Sequence, residues 1–148
     1  MKKLLSLFLL ALTAGALCAA PLTIVKNGKS DYCIVLNPKA VNAEVLRYAA
    51  ADLQTYIRKA TGVKLPIVKS EKRNGRPAFL IGFEKVDKPE GFVVKTAGRD
   101  VIISGNDSAG SVLNCHWATG ARIGTWHGVS DFLEKQLGVR WFFPGESA

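Results

Sequence analysis

The stretch NAEVLRYAAADLQTYIRKATG, Asn42 to Gly62, decides the fold class. Val41, Val45, Ala49, Leu53 and Ile57 recur every fourth residue, and Leu46, Tyr56 and Ala60 widen the same stripe, which is the period of an amphipathic helix. Asn42 is a residue type whose side-chain oxygen accepts an orphan amide at a helix start. Glu44 suits the positive end of the helix dipole, and Arg58 and Lys59 suit the negative end. Gly62 takes the left-handed position that closes a helix. The spacing predicts a long helix with Leu53 and Ile57 buried against a sheet, and with Gln54 and Lys59 in solvent.

Outward from this helix the pattern turns to strands. Leu22 to Val25 and Tyr32 to Leu36 are short apolar runs on either side of Asn27-Gly28-Lys29, a turn signal. Leu65 to Lys69 and Ala78 to Phe83 read as strands flanking the polar loop KSEKRNGR, Lys69 to Arg76. Phe92 to Thr96 and Asp100 to Ser104 make a hairpin across Ala97-Gly98-Arg99. Val101-Ile102-Ile103 reads as buried on both faces and hence central. A second helix fits Thr125 to Leu137, with Trp126, Val129, Leu133 and Leu137 on one face and Gly138 as its stop. Val139 to Phe143 reads as a last strand. The expected fold is α+β: a two-layer sandwich, a mixed β-sheet with two helices on one face.

A chain of 148 residues allows one domain and a targeting segment. Residues 1–20 read as a secretory signal, with Lys2 and Lys3 before the apolar run Leu4 to Leu12 and small residues at Gly15, Ala16, Cys18, Ala19 and Ala20. A membrane anchor is the competing reading, but a span wants ~20 apolar residues. Cleavage after Cys18, Ala19 or Ala20 stays open. The expected location is periplasmic or extracellular, in a bacterium, with no membrane contact after signal removal. Twenty basic residues less Lys2 and Lys3, against twelve acidic ones, leave +6. The basic residues are scattered and carry no interleaved aromatics, so no nucleic-acid partner is expected. Cys33 and Cys115 remain as a possible disulfide in an oxidising compartment, or as two buried thiols.

Catalytic signatures are missing: there is no G-x-S-x-G, P-loop, HExxH or CxxC pattern. Gly105 to Gly110 lacks the Lys-Ser/Thr ending of a phosphate cradle and reads as a turn. Cys115, His116 and His127 match no zinc spacing. Asp131 and Glu134 are ordinary helix-surface acids. No catalytic residue, metal or cofactor is assigned.

The segments AAADLQTYIRKATGVKLPI (Ala49 to Ile67), FLIGF (Phe79 to Phe83), GFVVKTAGRDVIISGND (Gly91 to Asp107) and GVSDFLEKQLGVRWFFPG (Gly128 to Gly145) follow in one order. That order resembles the N-terminal domain of alpha-glucuronidases and the second domain of beta-N-acetylhexosaminidases, as in large secreted bacterial glycoside-hydrolase-like proteins. The resemblance implies a non-catalytic accessory domain over residues 21–148, ahead of a (β/α)₈ barrel that carries the catalytic carboxylates. Such a barrel needs about 250 residues, and Ser147-Ala148 falls where it would begin. The possible partners are thus a downstream barrel and a carbohydrate. Ser108 to Arg122 reads as an insertion. It holds Cys115, His116, Trp117 and Arg122, candidates for the rim of a sugar site, against the plainer reading of a loop whose Trp117 covers core; Arg140 and Trp141 are candidates for an interdomain contact, or packed strand residues. A standalone exported carbohydrate-binding or protein-interaction module is the alternative.

Overall fold

The computed structural model describes residues 21–114 and 120–141. The elements run β1 (Cys33–Leu36), α1 (Ala43–Thr61), β2 (Ile67–Val68), a 3₁₀ turn (Ser70–Lys72), β3 (Ala78–Ile81), β4 (Phe92–Ala97), β5 (Asp100–Gly105) and α2 (Gly124–Leu137). One five-stranded mixed sheet has the order β2-β1-β3-β5-β4. β1, β2, β3 and β5 are parallel neighbours, and β4 lies antiparallel on β5. The fold is α+β.

Strand alternation sorts the sheet into two faces. Ile34, Phe79, Ile81, Val101 and Ile103 pack into one core with Val45, Leu46, Ala49, Leu53 and Ile57 of α1 and Val129 and Leu133 of α2. Cys33, Val35 and Ala78 point the other way and form a small cluster with Val68 and Leu80, without a helix residue. Both helices therefore cover one face. Leu53 is fully buried and Ile57 nearly so, each such side chain contributing ~1.5–3 kcal/mol of transfer free energy.

α1 carries the expected ends. The Asn42 side chain accepts from the Glu44 and Val45 amides at 3.0 and 3.2 Å, and Gly62, at φ 76°, donates to Arg58 O at 2.8 Å. Val41 falls outside the stripe: it precedes the cap and is 66% exposed. Ala60 also lies exposed. Gln54 is not free in solvent, because its amide donates to Leu65 O at 2.6 Å and ties the helix to the chain leading into β2.

Two expected strands do not form. Leu22 to Val25 packs against the core without joining the sheet. Asn27 and Gly28 both take positive φ, as in a primed turn, but the ladder stops at the single bridge Lys26–Lys29. The reason is spatial: both edges of β1 are already occupied, by β2 and β3. After α2, Gly138 donates to Glu134 O at 3.0 Å and Val139 to Leu133 O at 3.4 Å. The Gly138 bond is the 5→1 closure of a left-handed glycine cap, and Val139 packs against the core just beyond it. Residues 139–141 form no strand, and Phe142 and Phe143 lie outside the described residues.

The polar loop is largely exposed, with Arg73 and Arg76 half-buried. Arg73 pairs with Asp100, and Asp100 also accepts from the Ala78 amide at 2.9 Å, so the loop folds back onto the starts of β3 and β5.

Candidate functional site

Three features merit a functional reading, and each follows from the elements that build it. The first is an aromatic ledge along the helix pair. Tyr48, Asp52 and Tyr56 stand at i, i+4 and i+8 on α1 and so share one side of it. Trp126 of α2 stacks on Tyr48, with ring centroids 5.3 Å apart and planes 13° from parallel. Its indole N–H donates to Asp52 Oδ2 at 2.6 Å. Trp141 meets Tyr56 edge-on at 5.0 Å, and Lys59 Nζ lies 5.3 Å from the Tyr56 ring centre. Tyr48 and Trp141 keep 36% and 45% of their surface in solvent.

The second feature is the junction between β5 and α2. A Cβ on Gly105 would stand 2.0 Å from the Gly124 carbonyl carbon and 2.1 Å from the Thr125 nitrogen. A Cβ on Gly124 would stand 2.7 Å from Asn106 N and Gly91 O. Backbone thus lies on backbone, and only glycine fits. α2 has no side-chain cap from Ile123. Instead the Thr125 amide donates to Asp107 Oδ1 at 2.8 Å, and the Thr125 hydroxyl donates to Asp107 Oδ2 at 2.6 Å. That hydroxyl also accepts from the Gly105 amide at 2.8 Å. Burial pushes the Asp107 carboxyl above its ordinary pKa, and the negative charge of Glu90 adds to the rise; the Thr125 bonds and His127 pull it back only in part. Glu90 accepts from the Ile123 amide at 3.2 Å, with His127 Nε2 at 3.6 Å from the same oxygen. Asp107 is therefore a remote helix cap.

The third feature is a crevice of about 490 Å³ at the carboxyl ends of β1, β3 and β5. Asn37 Nδ2 donates to Gly82 O at 2.7 Å and bridges the first two strand ends. Asn106 Nδ2 donates to Val86 O at 2.7 Å and Asp87 O at 3.1 Å, holding the loop after β3 onto the end of β5. Arg122 Nε donates to Asn106 Oδ1 at 2.8 Å. At the opposite end of the sheet an apolar cleft of about 900 Å³ is lined by Leu22, Ile57, Phe79, Val94, Phe132 and Leu137.

The expected site residues fall as follows. Trp141 lies on the ledge, and Arg140 beside it donates to Glu134 Oε1 at 3.2 Å. His116, Trp117 and Cys115 lie outside the described residues. Cys33 is a buried free thiol donating weakly to Pro77 O at 3.8 Å; burial pushes its pKa up, against the opposing pull of Arg76 and Arg73. Asp131 pairs with Lys135 at 2.9 Å. Among the described residues no group of three His, Cys, Asp or Glu side chains stands ready for a metal ion, and no helix is long and apolar enough to cross a membrane.

The chain matches no family model and no curated protein. Sequence reasoning missed Asp107 as a cap, Gly105 and Gly124 as a contact pair, and the Tyr48–Trp126 stack. The i, i+4 spacing of Tyr48 and Asp52 was a usable signal for the stack. The other two depend on long-range approach and have no local signature.

Proposed function

We propose that this chain is a non-catalytic accessory domain of an exported, glycoside-hydrolase-like bacterial protein acting in polysaccharide breakdown, and that the helix pair docks on a neighbouring domain. The ledge of Tyr48, Trp126, Tyr56 and Trp141 carries this reading. It sets exposed aromatic surface beside the point where the chain leaves α2, and aromatic side chains are enriched at protein interfaces. The carboxylates support it too. Asp52 serves Trp126, Asp107 serves Thr125, Glu90 serves Ile123, and Glu44 accepts from the Val112 amide at 3.3 Å. Glu84, Asp100, Asp131 and Glu134 are paired with Lys95, Arg73, Lys135 and Arg140. A glycosidase needs two carboxyl groups about 5–10 Å apart across a concave site, and acids committed to helix caps and surface pairs are poor material for one.

Assaying the purified exported chain on aryl-glycosides and glucuronoxylan fragments tests the reading. No turnover is expected. Turnover that disappears when one of its own acids is changed overturns it. For the docking surface, Tyr48→Ser with Trp141→Ser is expected to reduce self-association, or association with a barrel supplied in trans, measured by sedimentation. A standalone carbohydrate-binding or protein-interaction module is the second reading, favoured by the exposed rings of Tyr48 and Trp141.

A further inference from the structure

The crevice at the strand ends lies apart from the aromatic ledge, and its position follows from the topology. β1 hands the chain through α1 to β2 on one side, whereas β3 leads on toward β4 and β5 on the other. The chain therefore leaves the adjacent strands β1 and β3 in opposite directions. In parallel sheets the carboxyl ends of such a pair leave the opening where ligands bind. Here the opening has a volume of about 490 Å³, within the range of small-molecule sites.

Its walls are held in advance of any ligand. The Asn37–Gly82 bond joins two strand ends, the Glu84 amide donates to Ser104 Oγ at 3.0 Å, and Asn106 fixes both the Val86–Asp87 backbone and Arg122. Preorganised walls lower the entropic cost of binding.

The lining also selects a chemistry. Lys39, Lys85 and Arg122 face Glu84, Asp87 and Asp107, so the formal charges cancel. Lys85 is paired with Asp87 at 2.9 Å, Glu84 with Lys95 at 3.1 Å, and Asp107 is bound to Thr125. The lining as a whole carries no net formal charge. The donors left for a ligand are the second N–H of the Asn37 amide and the terminal guanidinium nitrogens of Arg122, which meet no acceptor among the described residues. Phe83, 40% exposed, lines the same opening and supplies an apolar ring face. Donors beside an exposed aromatic ring suit a ligand with hydroxyls around its edge and C–H groups on its face.

We propose that this crevice binds a neutral sugar ring, stacked on Phe83 and hydrogen-bonded by Arg122 and Asn37. The site is independent of the docking ledge, and either assignment stands or falls without the other.

Amide NMR of the exported protein, titrated separately with xylose, glucose, galactose, mannose and N-acetylglucosamine, tests it, with sulfate and glucuronate as anionic comparisons. At least one neutral sugar is expected to shift the Asn37, Phe83 and Asn106 amides saturably, with a Kd near ~10 mM or below. Phe83→Ala and Arg122→Ala are each expected to weaken that binding about tenfold. Phe83→Trp keeps the ring face and is expected to retain binding, which separates loss of the site from loss of the fold. Shifts from the anions alone, shifts confined to Tyr48 and Trp126, or no shift from any neutral sugar would each overturn the proposal.

Discussion

The two helices rest on the same sheet face by opposite means. α1 buries the large side chains Val45, Leu46, Leu53 and Ile57, with Ala49 and Ala50 between them. α2 buries Gly124, Thr125, Gly128, Val129 and Leu133, and brings its first turn onto the end of β5. A Cβ on Gly128 would come within 3.0 Å of Ile103 and 3.2 Å of Phe92. α1 is thus anchored by apolar volume and α2 by close backbone approach. The first tolerates lost volume at a graded cost, whereas the second has no room for a methyl group.

The largest expected effect breaks α2. Gly105→Ala places a carbon inside the Gly124–Thr125 peptide, and a shift of the whole helix is the only relief. We expect a loss above about 4 kcal/mol, read as disappearance of the cooperative urea transition. A variant that folds with an unmoved midpoint would show that α2 is not held by backbone contact.

Leu53→Ala is the matching change in α1 and is expected to cost about 3 kcal/mol. The lower midpoint should come with an unchanged slope, because the cavity weakens the core without altering the exposed area. A cost equal to that of Gly105→Ala would erase the distinction between the two helices.

The third change sharpens the contrast at the helix starts. Asn42 caps α1 itself, and its Nδ2 donates to Ser108 O at 2.8 Å and Gly110 O at 2.9 Å. Asn42→Ala removes the cap and leaves both carbonyls without that donor, for about 2 kcal/mol by thermal or urea unfolding. Asn42→Asp keeps the cap and loses the donor, so it should fall between the two.

The smallest effect concerns the borrowed cap of α2. Burial raises the folded pKa of Asp107 above its unfolded value, so the folded state holds its proton more tightly. The stability this group contributes is full below the unfolded pKa and is lost as pH rises through the folded one. Comparing unfolding midpoints of the parent and Asp107→Asn from pH 3 to pH 7 should therefore show the parent losing ground with rising pH. A parent that gains relative to the variant would mean that the Thr125 bonds outweigh burial.

The same contrast explains what the sequence disclosed. α1 was legible because its signals are local: the four-residue apolar stripe, Asn42 and Gly62 at its ends. The β4–β5 hairpin was legible for the same reason, with Gly98 at φ 59° turning the chain between Ala97 and Asp100. α2 was placed by Val129 and Leu133, but its anchoring was not visible. Its cap comes from Asp107, and its glycine contact joins Gly105 to Gly124. Leu22 to Val25 misled because a short apolar run beside a turn shows strand character, not whether a sheet edge is free to receive it. At the candidate site, Trp141 was singled out with Arg140 as an interdomain candidate, and it lies on the ledge with 45% of its surface exposed. Of the crevice only Arg122 was a candidate, because Asn37, Phe83 and Asn106 meet it only through the strand order.

The neck of the segment between β5 and α2 has a consequence for design. Asp107 bridges Ile123, the Ser108 amide donates to Arg122 O at 3.2 Å, and the Arg122 amide donates to Ser108 Oγ at 2.8 Å. Asn42 and Glu44 fasten the near side as far as Val112. A loop whose base is closed by its own bonds passes little of its length on to the rest of the domain, and doubling that length costs only about 0.6 kcal/mol in closure entropy. Extra length carried on this neck would therefore leave and rejoin the domain at the same edge of the sheet as the crevice, beside the start of α2.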